Sequence, residues 1–132
     1  MPNPPIDDLF GDEPAALPLG AQAVLLRGFA LAQAQALVQG VQQVALRAPW
    51  RHMQTPGGKA MSVAMTGCGP LSWVSDRRGY RYADRDPLTG RPWPAMPAAF
   101  ARLARAAAQQ AGFAHFAPDA CLVNRYEPGA RM

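Results

Sequence analysis

Apolar and polar positions along the chain mark out a short series of elements. Residues 22–29, QAVLLRGF, make a compact apolar run of strand length. Over 31–47, Leu37, Val38, Val41, Val44 and Ala45 recur at the spacing that gathers them on one side of an α-helix, and Pro49 stops the pattern. Gly40 weakens this helix without ending it. Residues 61–66, MSVAMT, alternate with a period of two: Met61, Val63 and Met65 share one face, Ser62, Ala64 and Thr66 the other. GCGP, 67–70, is expected to break that strand. LSWVSDRRGYRYA, 71–83, reads as further extended chain turning near Gly79. A second helix is expected over 97–111, with Phe100, Leu103, Ala104, Ala107 and Ala111 facing the core, Pro97 in its first turn and Gly112 as its C-terminal cap. ACLVNRY, 120–126, alternates again, with Leu122, Asn124 and Tyr126 on one face and Cys121, Val123 and Arg125 on the other.

The connecting segments are distinct from these. PWRHMQTPGGKA, 49–60, is a loop with a Pro-Gly-Gly turn, and DPLTGRPWPAMP, 86–97, is a Pro-rich crossing. Residues 1–19 read as a flexible arm, with Leu9-Phe10 placed to dock on the body. The order strand, helix, strand pair, helix, strand is an α+β pattern. A sheet must cover or close its edges, and only one strand follows the second helix, so the core sheet reads as incomplete.

Composition narrows the class. At 132 residues the chain holds one domain, and 49% apolar with 17% charged residues fits a soluble globular chain. No apolar run is long enough for a membrane span. The start, MPNPPIDDLFGDEP, is acidic and lacks the basic and apolar regions of a secretory signal, so the cytoplasm is the expected location. Cys68 and Cys121 are far apart in sequence and read as two reduced, mostly buried thiols.

Charge is uneven. Residues 1–19 carry Asp7, Asp8, Asp12 and Glu13 and no base, whereas 47–91 hold eight basic residues against three acidic ones. Such a local excess suits a polyanion. The plainer explanation is compositional: arginine outnumbers lysine twelve to one, as in a GC-rich genome.

Candidate chemistry is sparse. A two-histidine, one-carboxylate iron site needs HxD or HxE plus a distant His. His52 and His115 each lack a carboxylate two residues on, so both read as loop or surface residues and no metal site is expected within the chain. Phosphate-binding glycine loops and nucleophile motifs are absent. Two faces remain open. Met61, Val63 and Met65 with Trp73, Tyr80 and Tyr82, interleaved with arginines, form either a stacking platform for a base or the core of a two-stranded ribbon. Asn124, beside Leu122 and Tyr126, needs a partner if that face is buried, either a small polar ligand or a neighbouring group.

Several strings here resemble the AlkB family of Fe(II)/2-oxoglutarate-dependent dioxygenases. They are TPGG (55–58), MSVAMTGCG (61–69), LSW (71–73), GYRY (79–82), DPLTGRPWPAMP (86–97) and PDACLVNRYEPGARM (118–132), which with the helices between them cover about residues 20–132. The resemblance implies a double-stranded β-helix, or jelly roll, holding Fe(II) and 2-oxoglutarate beneath a nucleotide-recognition lid. It implies oxidative demethylation of N-alkylated bases, of the 1-methyladenine and 3-methylcytosine type, in DNA or RNA with release of formaldehyde. The base would be presented flipped or single-stranded. Carried over by motif, Thr55 and Tyr80 would hold the substrate backbone, Met61 and Met65 would wall the lid, and Trp73 would stack on the base. Leu122, Asn124 and Tyr126 would line the 2-oxoglutarate pocket. Arg131 stands where close relatives often carry lysine near the substrate strand. Residues 1–19 would then be an arm, and 20–132 the lid with the first elements of the dioxygenase core. In the family HxD, a distal His and a pair of arginines come after this point, so the 132 residues are expected to be an inactive N-terminal portion of an enzyme that is monomeric when complete. A single-stranded nucleic-acid-binding module without chemistry is the alternative.

Overall fold

The computed structural model describes residues 15–132. The acidic segment and the expected docking of Leu9-Phe10 lie outside the described residues. Residues 16–19, read above as the end of the arm, belong to a strand. This β1 (Ala16–Gly20) runs antiparallel to β2 (Ala23–Leu26), with Ala16 opposite Leu26 and Leu17 opposite Leu25. The apolar residues of ALPLG find partners just across a turn. Pro18 is tolerated because a ribbon this narrow has a free edge on each side, and the register slips between Pro18 and Gly20.

A 3-10 turn, Leu31–Gln33, leads into α1 (Ala34–Arg47). Its inward stripe is Leu37, Gly40, Val41, Val44, Ala45 and then Ala48, with Val44 and Ala48 buried, whereas Val38 is 56% exposed. The stripe runs through Gly40 because α2 (Ala98–Gln110) presses on that point. A Cβ at Gly40 would lie 2.8 Å from Phe100 Cε1. Gly40 is thus a packing position between two helices as well as a weak helix former. Pro97 stands just ahead of α2, and its carbonyl accepts the N–H groups of Phe100 at 3.0 Å and Ala101 at 3.3 Å. At the other end Gly112 adopts φ +96°, its N–H donates to Gln109 O, and the Phe113 N–H reaches Ala108 O at 2.8 Å. That is the paired closure of a left-handed C-terminal cap, as the position of Gly112 in the sequence implies.

The remaining strands are β3 (Ala64–Cys68), β4 (Ser72–Asp76), β5 (Gly79–Ala83) and β6 (Cys121–Arg125). They form two further antiparallel ribbons, β3 with β6 and β4 with β5. On its other side β3 is held by Arg51, whose backbone exchanges hydrogen bonds of 3.0 and 2.8 Å with Met65. The strand expected over 61–66 therefore begins later and runs on through Gly67 and Cys68. Glycine does not break it there. Gly67 is needed because the place of a Cβ is taken by the Ser72 side chain of the neighbouring strand. Both faces of β3 are buried, so the alternation in MSVAMT separates two kinds of interior: Thr66, fully buried, donates its hydroxyl to Ala48 O at 2.6 Å.

Two small cores flank β3. Ala48, Val74 and Trp93 make one, with Ala83 packed against it. Met53, Val63 and Met65 make the other, joined by Met61, Trp73, Leu122 and Ala130. The Pro-rich crossing is pinned into the first by Trp93, which is 5% exposed and donates its indole N–H to Ala83 O at 2.9 Å. No helix among the described residues is long and apolar enough to cross a membrane.

Candidate functional site

The β3–β6 register decides which side chains meet. Met65 is paired directly with Asn124 and Gly67 with Leu122, so these four share one face, while Thr66–Val123 and Cys68–Cys121 occupy the reverse. Met65, fully buried, sits at the centre of the methionine cluster, with half-buried Met61, Trp73 and Leu122 around it. Trp73 and Leu122 also line an open hollow of about 290 Å³ together with Tyr82, Ala120 and Met132. Four of the expected lid residues and pocket residues, Met61, Met65, Trp73 and Leu122, thus lie in one continuous apolar region.

Asn124 borders it. The Asn124 side-chain Oδ1 is buried and has no hydrogen-bond partner among the described residues. An unpaired buried amide oxygen costs about 1–3 kcal/mol, so the position calls for a partner. Rotating the amide half a turn exchanges carbonyl for NH₂, so the same position can present a donor to a carboxylate.

Trp73 is not bare. Tyr80 stacks on it with ring centroids 5.5 Å apart and planes 19° from parallel, because Trp73 and Tyr80 are diagonal neighbours across β4 and β5. Tyr80 is itself 63% exposed. Trp73 therefore packs on the methionine cluster as a core residue would, while its aromatic partner faces solvent.

The other expected residues lie further out. Thr55 organises the TPGG turn: its hydroxyl accepts the Lys59 N–H at 3.1 Å, and its carbonyl accepts the Gly58 N–H at 2.8 Å. Arg131 is tied by its backbone, both N and O bonding the Ser62 hydroxyl at 3.0 and 2.8 Å, which leaves its guanidinium at the surface. Tyr126, just past the end of β6, is 54% exposed. His52 and His115 are both exposed, and His52 Nδ1 lies 2.9 Å from Met61 O. Among the described residues no three His, Cys, Asp or Glu side chains come together as a metal ligand set.

Met53 is missing from the expected set although it sits in the cluster with Met65. The signal was present. Met53 and Met61 flank TPGG in HMQTPGGKAM, and the Met61 N–H bonds Met53 O at 2.8 Å across that turn. Arg51 and Asp86 were also missed. Arg51 holds Asp86 with two bonds of 2.6 Å and lies 5.3 Å over the Trp93 ring. Burial pushes the Asp86 carboxyl up, but the Arg51 guanidinium and the Leu88 and Thr89 N–H groups outweigh it and hold the pKa below its ordinary 3.8. Thirty-five residues separate the partners, and nothing in the sequence links them.

Charge on the surface divides accordingly. Arg51 and Arg81 are committed to Asp86 and Asp76, and Arg81 and the Arg78 N–H hold the Asp76 carboxyl at about 2. Lys59, Arg77 and Arg78 form no ion pair among the described residues. They stand on two touching turns, since Arg77 Nη2 lies 2.8 Å from where a Cβ on Gly58 would be. The basic excess of 47–91 is therefore partly structural; of the rest, Arg77 and Arg78 stand in the turn just before Tyr80 with Lys59 on the adjoining turn, while Arg47 and Arg91 share a hollow beside Trp93.

An apolar hollow, a stacked Trp–Tyr pair on β4 and β5 and an unpartnered amide on the β3–β6 pair thus lie close together, and the chain has a family to match. Residues 22–132 match the 2OG-Fe(II) oxygenase superfamily, and the chain belongs to it. Within that superfamily it is a member of the AlkB family. It is 57% identical over 126 residues to the alpha-ketoglutarate-dependent dioxygenase AlkB of Salmonella typhimurium, and 53% identical over 126 residues to that of Escherichia coli. In each case the match covers 95% of this chain and 58% of the relative. The AlkB homolog of Caulobacter vibrioides is 52% identical over 98 residues, 74% of this chain and 43% of that protein. The chain thus spans little more than half the length of the first two relatives.

Proposed function

We propose that these residues form the base-recognition lid and one wall of the 2-oxoglutarate pocket of an oxidative demethylase, built on the first strands of a jelly roll. Its substrates would be N-alkylated bases of the 1-methyladenine and 3-methylcytosine type, in DNA or RNA, released from alkylation with loss of formaldehyde. The observation that carries this reading is that Met65, paired directly with the unpartnered Asn124 on β3 and β6, is also the centre of the methionine cluster on which Trp73 of β4 packs.

Residue by residue, Trp73 stacks on the flipped base, and Met61 and Met65 close around it as adaptable apolar walls. Tyr80 swings off Trp73, which frees the stacking place for the base and turns the phenol toward a phosphate oxygen. Thr55 supplies a second backbone contact, while Lys59, Arg77, Arg78 and Arg131 provide positive charge for neighbouring phosphates. Leu122 packs on the aliphatic part of 2-oxoglutarate, and Asn124 and Tyr126 bond its oxygens. Fe(II) and 2-oxoglutarate supply the oxidising chemistry when bound. The described residues do not by themselves fit an iron site, so no step is derived through the metal.

The test is tryptophan fluorescence of the chain titrated with a single-stranded oligonucleotide carrying 3-methylcytosine. Quenching that weakens with rising salt is expected, and Trp73→Ala should cost about 1–3 kcal/mol of binding. Quenching unchanged in Trp73→Ala would sink the base-stacking assignment. Formaldehyde release by the whole protein with Fe(II) and 2-oxoglutarate separates the demethylase from a binding module, which would quench without turnover.

A further inference from the structure

Cys68 and Cys121, fifty-three positions apart in sequence, are directly opposed on the antiparallel strands β3 and β6. Directly opposed residues in such a pair have Cα atoms about 4.5 or 5.5 Å apart, depending on the hydrogen-bonding site. Both separations fall within the roughly 4.4–6.8 Å that a disulfide spans. Both side chains leave the strand pair on the same face, the reverse of the one that carries Met65 and Asn124, and the two thiols are close enough to shift each other's acidity. Both are free thiols.

The two differ in access and in acidity. Cys68 is fully buried, while Cys121 is half-buried. The hydrogen bond from the Cys68 thiol lowers the Cys121 pKa to about 7 against the opposing effect of burial. The same bond, then burial, pushes the Cys68 thiol up. One sulfur is therefore reachable and partly thiolate at neutral pH, and the other is a shielded thiol in contact with it. Those are the roles of an attacking and a resolving cysteine.

We infer that Cys68 and Cys121 form a reversible dithiol–disulfide site, oxidised by a hydroperoxide and reduced by a low-molecular-weight thiol. The Cys121 thiolate attacks one peroxide oxygen, the O–O bond breaks, and Cys121 becomes a sulfenic acid as water or an alcohol leaves. The Cys68 sulfur then attacks the Cys121 sulfur. The S–S bond forms, the S–O bond breaks, and the hydroxyl departs as water with the Cys68 proton. The two thiols lose two electrons and the peroxide gains them. Two equivalents of external thiol reverse the change and leave as their own disulfide. The product rivets β3 to β6 directly behind Met65, Leu122 and Asn124, so the modification site backs onto the proposed pocket without belonging to it.

Hydrogen peroxide on the full chain, followed by alkylation of remaining thiols in denaturant and intact-mass and peptide analysis, reads the outcome. In the native reduced chain, Cys121 should alkylate faster than Cys68. After peroxide, the expected product is a monomer lighter by two hydrogens, with no alkylatable thiol and a peptide joining 68 to 121. Dithiothreitol should restore both thiols. Cys68→Ser should trap a dimedone-reactive sulfenic acid on Cys121, and Cys121→Ser should leave Cys68 reduced under the same dose. Two alkylatable thiols after peroxide, a disulfide between chains, over-oxidation of Cys121 without a crosslink, or native alkylation of Cys68 as fast as Cys121 would each overturn the inference. None of these readouts depends on demethylase activity or nucleic-acid binding.

Discussion

At the scale of single residues, the most consequential contact is one that no local pattern announces. Asp86 is 1% exposed and its charge is tolerable only because the Arg51 fork meets both its oxygens, the Leu88 N–H adds a third bond, and Arg51 itself lies over Trp93. Removing the cation leaves a buried carboxylate alone. Arg51→Ala should therefore destabilise the chain by about 3–5 kcal/mol in denaturant unfolding. Acid separates this from a simple loss of packing. With Arg51 present the carboxyl is held below its ordinary 3.8, so the pair stabilises above that value and its contribution fades as pH falls below it. Without Arg51 burial is opposed only by the Leu88 and Thr89 N–H groups, so the carboxyl moves up from where the cation held it and the stabilisation of its charged form weakens. The midpoint of Arg51→Ala should thus decline less on acidification than that of the parent chain. Parallel pH profiles for the two would refute the account. Arg51 and Asp86 were visible in the sequence only as two members of a charged segment. Their pairing is a property of the fold.

At the scale of elements, periodicity told most of the story and glycine the rest. Both helices were legible because apolar residues repeat every three to four positions, and the end of α1 was legible from Pro49 and both ends of α2 from Pro97 and Gly112. Strand β6 was legible from its alternation, with Leu122 and Asn124 assigned to a common face. What was missed has one cause. Gly67 reads in sequence as a strand breaker, and Gly40 as a position that weakens its helix without ending it, which holds but leaves out its packing role; the atoms that require a missing side chain belong to other elements, Ser72 on β4 and Phe100 on α2. A propensity argues from neighbours in sequence and cannot see them. Substitution makes the difference measurable. Gly40→Ala gains about 1 kcal/mol of helix propensity, but its methyl would stand 2.8 Å from the Phe100 ring and 3.3 Å from Pro97 Cβ. Overpacking of this kind costs about 1–3 kcal/mol, so the net change should be a loss of stability. Gly40→Ala in a Phe100→Leu background should recover the propensity gain. A stabilised single Gly40→Ala variant would mean that the helices part more readily than their packing implies. At the candidate site, the alternation placed Leu122 with Asn124, and Met61 and Val63 with Met65, as strand register and packing do, but Met53 was missed and the stacking of Tyr80 on Trp73 was not legible.

At the scale of the molecule, three two-stranded ribbons and two helices do not share one sheet, and their claims on stability are unequal. β3 is the centre: bonded to β6 on one side, bridged by Arg51 on the other, buried throughout, and in contact with both small cores. β1 and β2 stand at the opposite extreme, with only Leu17, Val24 and Leu26 half-buried and every other residue exposed. A ribbon of two strands with so little apolar cover is marginal on its own, whereas amides in a doubly bonded, fully buried strand open only with the whole core. Native-state hydrogen exchange should therefore rank the amides of Met65 and Thr66 slowest, with protection close to the global unfolding free energy, and those of 16–26 fastest. The ranking also bears on the proposed function. Met65 and Asn124 pair within the most protected ribbon, which holds the pocket face rigid, while Tyr80 and the turns bearing Lys59, Arg77 and Arg78 lie at its margin, where movement toward a nucleic-acid strand costs little. Oligonucleotide binding should accordingly slow exchange in 55–59 and 76–80 and leave β3 unchanged. If instead β3 exchanged as fast as β1 and β2, the strand pair could not serve as a preformed wall for either base or co-substrate.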